Sequence, residues 1–129
     1  MLEQQRGNKM PILDKFKPNN LFAGYKHKTT ESVTLAAGAV YLIGSVLAKN
    51  ASGECVLVDS STSAKTVYGI LAHDVDATSG STAGVVYLTG EFNKRALIFG
   101  GNDTAELHFD AARKNGIFFL STSPAPKTV

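Results

Sequence analysis

Residues 85–120, VVYLTGEFNKRALIFGGNDTAELHFDAARKNGIFFL, constrain the fold more tightly than any other stretch. Val85-Val86-Tyr87-Leu88 is a β-branched and aromatic run that suits a pleated, half-buried surface. Gly90 then interrupts the pattern, as a bulge or a close backbone approach requires. A second apolar run, Ala96-Leu97-Ile98-Phe99, ends at Gly100-Gly101. Asp103 and Glu106 form a D-x-x-E variant of the capping box, which predicts a helix over about 103–115. Gly116 is placed to end it, because glycine takes the left-handed C′ conformation at least cost. Arg113 and Lys114 complement the dipole of its last turn. Ile117-Phe118-Phe119-Leu120 returns to strand. Leu107 and Ala111 share one stripe of this short helix, which therefore needs a sheet to lie against.

The sheet has to come from upstream. Val33-Thr34-Leu35 alternates as a first strand, and Ala36-Ala37-Gly38 turns the chain. Residues 40–43 and 46–48 are strand-like on either side of Gly44-Ser45, and Asn50-Ala51-Ser52-Gly53 is a hairpin loop leading to Cys55-Val56-Leu57-Val58. Residues 66–72 form a further strand with an internal glycine, and residues 76–84, DATSGSTAG, form a small-residue surface loop. At 129 residues the chain is one domain, mainly β and compact, with one short helix. The three parts are an extended N-terminal arm (1–31), a β body (32–120) and a C-terminal tail (121–129) with Pro124 and Pro126.

Charge is unevenly spread. Residues 1–28 hold six basic residues and two acidic ones, a net +4, whereas residues 29–129 hold seven and nine, a net −2. The arm also carries Ile12, Leu13, Phe16, Leu21, Phe22 and Tyr25, which a purely solvated tail has no use for. A basic arm with apolar anchors on a mildly acidic body suggests docking on a negatively charged partner. The body lacks the basic stripe, recognition helix and paired aromatics of a nucleic-acid-binding module. Residues 1–18 are charged throughout, without a signal-peptide core, and the uncharged run 33–48 is too short and too polar to span a bilayer. No membrane or nucleic-acid partner is therefore expected.

Sites of chemistry are scarce. Strand alternation puts His73 opposite Asp74 and Asp76, so the three do not converge on a metal. Cys55 sits in an apolar run and reads as a small core residue, and with one cysteine no disulfide closes within the chain. Gly100-Gly101 before a helix resembles an anion cradle, but a strand-to-helix turn needs the same residues. No G-x-S-x-G, P-loop or cofactor motif is present, and no cofactor is expected. The sequence reads as non-enzymatic; the rivals are a module binding host glycans or receptors through residues 76–84 and a small enzyme at Cys55 or His73.

Several segments jointly resemble the phage head decoration proteins, the lambda D-like family of tailed phages. They are Asn20-Leu21-Phe22-Ala23-Gly24, Val33-Thr34-Leu35-Ala36-Ala37-Gly38, Gly44-Ser45-Val46-Leu47, and Gly69-Ile70-Leu71-Ala72-His73-Asp74-Val75-Asp76-Ala77. Tyr87-Leu88-Thr89-Gly90-Glu91-Phe92-Asn93 and the helix with Arg113-Lys114-Asn115-Gly116-Ile117-Phe118 complete the series, in family order over about residues 20–120. The resemblance implies a β-clip (β-tulip) fold and a late structural protein of the virion, assembled in the host cytoplasm. It implies a homotrimer that cements the outer surface of the expanded capsid at threefold positions against DNA pressure, with the major capsid protein as partner. Asn20, Leu21, Phe22, Tyr25, Lys26 and Lys28 are then the expected capsid-docking residues, with Leu21, Phe22 and Tyr25 supplying most of the burial.

Overall fold

The computed structural model describes residues 21–24 and 27–121. Among the described residues, nine strands and one α-helix follow in order: β1 (Thr30–Leu35), β2 (Val40–Tyr41), β3 (Val46–Lys49), β4 (Cys55–Leu57), β5 (Gly69–Leu71), β6 (Val75–Asp76), β7 (Thr82–Tyr87), β8 (Gly90–Asn93), α1 (Ala105–Lys114) and β9 (Ile117–Leu120). A mainly β chain with one short helix is what the glycine-punctuated apolar runs anticipate.

Five strands close a barrel in the order β1-β4-β3-β5-β7. The longest ladder is antiparallel, β1 on β7, with Thr30 opposite Tyr87 and Leu35 opposite Thr82. Closure removes the free edges that a small open sheet would otherwise expose. Beside the barrel, β8 and β9 pair in parallel, Ile117 with Gly90 through Leu120 with Asn93. Such a pair needs a crossover, and α1 supplies it. A short antiparallel pair, β2 with β6, covers another side of the barrel.

The apolar runs of β3 and β5 are continuous because these strands are buried on both faces, whereas β7 alternates, burying Gly84 and Val86. Leu47, Leu71 and Val86 point inward with Leu35, Tyr41, Cys55 and Val75. Their neighbours Val46, Ala48 and Ile70 face outward, where they pack with Leu21, Phe92, Ala112, Ile117 and Phe119. The helix layer is thus cemented to the barrel wall through a second core, and Cys55 fills space in the first.

The structure revises the helix in two ways. Its N-cap is Thr104, whose hydroxyl accepts the N–H of Leu107. Asp103, the expected cap, has its carboxylate committed elsewhere: it accepts the backbone N–H and the hydroxyl of Ser60 and pairs with His108. The buried face is Ala105, His108 and Ala112, and Leu107 is 58% exposed. Small alanines at this spacing let the helix lie close on β9, and His108 gains a stacking partner in Phe99, ring centroids 5.8 Å apart. The C-terminal end follows expectation, with Gly116 at φ +87 after the Asn115 cap.

The run 96–99 is not a strand. Asn93 accepts the N–H of Arg95 and starts a 3₁₀ turn over Lys94–Ala96, after which Ile98 bridges Ser45 in parallel. The strand expected over 66–72 begins at Gly69. Gly90 lies where the backbone approaches an aromatic side chain: a Cβ there would fall 2.9 Å from the ring of Phe92.

Candidate docking surface

Of the six expected docking residues, Asn20, Tyr25 and Lys26 lie outside the described residues. Leu21 does not present its side chain outward. It is 2% exposed and belongs to the core shared by Phe92, Ile117 and Phe119. Its carbonyl accepts the N–H of Asn93 at 2.7 Å, and the N–H of Ala23 donates to the carbonyl of Glu91 at 2.9 Å. Phe22 forms the antiparallel bridge with Phe92 between these bonds. Residues 21–23, counted with the arm on sequence grounds, therefore act as a third strand beside β8 and root the arm in the body.

Aromatic packing reinforces that root. The rings of Phe22 and Tyr87 meet edge to face at 5.0 Å, and Phe92 completes the triangle at 5.5 Å from Phe22 and 5.8 Å from Tyr87. Edge-to-face pairs of this kind add about 0.5–1.5 kcal/mol beyond the area they bury. The ammonium of Lys28 sits over the Phe22 ring, 4.4 Å from its centroid. Phe22 and Lys28 stay partly exposed, so both still offer surface next to the arm's exit.

The residues weighed for chemistry do local structural work. His73 takes the place of a missing strand residue: the N–H of Val85 donates to its Nε2 at 3.1 Å, just past the last backbone bond between β5 and β7. That acceptor role leaves Nδ1 to face the carbonyl of Asp74 at 3.2 Å. The Asp74 carboxylate accepts the N–H of Ile43 at 2.7 Å, and that of Asp76 accepts the N–H and hydroxyl of Thr78. Cys55 is fully buried in β4, and burial raises its thiol pKa, the reverse of what a nucleophile needs.

A cluster the sequence reading did not foresee joins Ser60, Asp103 and His108. His108 Nε2 lies 2.7 Å from Asp103, with the two side chains 5% and 4% exposed. The Ser60 hydroxyl and His108, in that order, hold the Asp103 carboxyl below its ordinary pKa. Here the carboxylate stands between the hydroxyl and the imidazole, so the imidazole cannot take the serine proton. The cluster is a clamp between the 59–65 loop and α1. Its only sequence signal is the Asp-x₄-His spacing across a helix start.

Fold and surface together describe a small β domain in which residues 21–23 pair with β8. The family model for bacteriophage lambda head decoration protein D matches residues 15–117, most of the chain. The chain therefore belongs to the lambda head decoration protein D family, which is a family of structural phage-head proteins and not of enzymes. The match starts upstream of Asn20, so the family region includes the last part of the arm. No curated protein matches the chain. Among the described residues, no helix is long and apolar enough to cross a membrane.

Proposed function

We propose that the protein is a capsid cement that binds the major capsid protein on the outside of the expanded head. It assembles as a homotrimer at threefold positions and holds the shell against the pressure of packaged DNA. The observation that carries this reading is the family match over residues 15–117. The rooted arm supports it: a basic, partly apolar segment leaving the body beside β8 is suited to adding a strand to an exposed capsid edge. Main-chain bonds then supply affinity and alternate side chains supply register.

Leu21 holds the base of the arm, and Phe22 and Lys28 flank it. Asn20, Tyr25 and Lys26 complete the docking set with Phe22 and Lys28. Three arms on one trimer engage neighbouring capsid subunits. The second and third engagements are then intramolecular, which adds about 10²–10⁴ in apparent affinity. The arm's positive charge favours encounter with an acidic capsid surface more than it adds to final affinity.

The test is to delete residues 1–20 and, in a second variant, to replace Tyr25, Lys26 and Lys28 by alanine, both of which spare the Leu21 root, and to mix each protein with expanded, undecorated heads. Loss of binding with unchanged thermal stability is the expected result. Undiminished binding would remove the arm as anchor. Imaging of wild-type decorated heads checks the position, with density expected at threefold sites.

A further inference from the structure

We infer that the groove between α1 and the β8–β9 pair is a second contact with the shell. It accepts a large apolar side chain flanked by a lysine or arginine from the major capsid protein. This rests on the arm-docking reading above and extends it to a surface of the folded body.

Strand register sets the placement. Phe22, Phe92 and Phe119 stand opposite one another on three neighbouring strands. At about 4.8 Å between strands, the arm's root lies roughly 10 Å from β9. Chain direction sets the rest. The bond from the Asn93 N–H to the Leu21 carbonyl puts Leu21 at the C-terminal end of β8. Leu21, the first described residue, thus lies at the end where β8 gives way to the Lys94–Ala96 turn and β9 finishes at Leu120. The groove lies along this end. It is lined by Lys94, Ala105, Glu106, Phe109, Asp110 and Phe119, with a volume of about 350 Å³. An arm engaged on the shell brings this groove to the shell with it.

The lining specifies the occupant. Phe109, Phe119 and Ala105 make an apolar floor. On the rim, Lys94 Nζ is bound to Glu106 at 2.7 Å and satisfies that carboxylate. Asp110, one helical turn on, is exposed, and its carboxylate has no donor or cation among the described residues. Two acids against one base over an apolar floor call for an apolar residue with a cation beside it. The volume is at the lower end of the ~300–1,000 Å³ range of binding pockets, enough for an aromatic or branched side chain.

The experiment measures binding of wild type, Asp110→Lys and the 1–20 deletion to undecorated, expanded heads at low and high salt. Asp110→Lys changes an exposed helix position and is expected to melt like wild type while binding about tenfold more weakly at low salt. That deficit should narrow at high salt, as screening requires. Equal affinity of wild type and Asp110→Lys, with binding lost in the deletion, would overturn the groove and leave the arm. Wild type that ignores the heads would overturn the arm reading and the groove with it. Amide resonances of Ala105 and Asp110 that shift when residues 122–129 are removed, with no heads present, would show the chain's own C-terminal segment in the groove. That result would also overturn the proposal.

Discussion

Phe22 stands opposite Phe92 in an antiparallel bridge, ring centroids 5.5 Å apart, and this pairing ties the first described residues to a strand far downstream. The arm thus starts from a fixed point in the core. A pull on the arm passes into β8 through two backbone bonds and a buried leucine.

Leu21→Ala should destabilise the body by about 2–5 kcal/mol, the usual range for truncating a buried leucine. Thermal or urea unfolding checks it. The 1–20 deletion should unfold with wild-type stability in the same assay. A Leu21→Ala protein as stable as wild type would mean that the root contributes little to the core.

The Asp103 clamp predicts a pH dependence with a definite sign. Its folded pKa lies below the ordinary carboxylate value of 3.8 because Ser60 and His108 stabilise the charged form. The stability this adds is fully present above about pH 4–5 and is lost as pH falls through the folded pKa. Asp103→Asn should therefore melt below wild type at pH 7, and the gap should shrink as pH falls below 3.8 and on through the lower folded pKa. A gap that stays constant would mean that the charge of Asp103 is not what matters.

Two glycines separate strain from crowding. Both Gly38 (φ +102) and Gly44 (φ +90) lie in the left-handed region. A Cβ at Gly38 meets nothing within 4 Å, whereas one at Gly44 falls 2.4 Å from the carbonyl oxygen of Ala96. Gly38→Ala should cost about 1–2 kcal/mol in urea unfolding, the strain of a left-handed L-residue alone. Gly44→Ala should cost distinctly more, because the obstacle is backbone. Equal costs would show that Ala96 moves aside freely.

Tyr68 donates to Glu31, and that bond, with burial, pushes its hydroxyl up to about 12. In a spectrophotometric titration, Tyr68→Phe should delete the tyrosine component that ionises near pH 12. A variant whose lost component titrates near pH 10 would mean that the bond does not persist in solution.

Local chemistry sufficed for much of this protein. The β-branched runs broken by glycine made it mainly β, the one helix ended at Gly116 as written, and the family segments were legible in order. Cys55 declared itself a core residue by the company it kept. Other features depended on partners distant in sequence. Asp103 looked like a helix cap because its spacing to Glu106 is local, yet its carboxylate goes to Ser60, which only the fold brings near. Leu107 looked buried because it is apolar, but the helix turned its alanines and His108 inward to approach β9. Leu21 looked like a docking residue because it sits in an unpatterned segment, and its edge pairing with β8 made it core. Short-range rules fix conformations whose partners lie within a few residues; which surface each one faces is decided by long-range register and barrel closure, and these exist only in the folded chain.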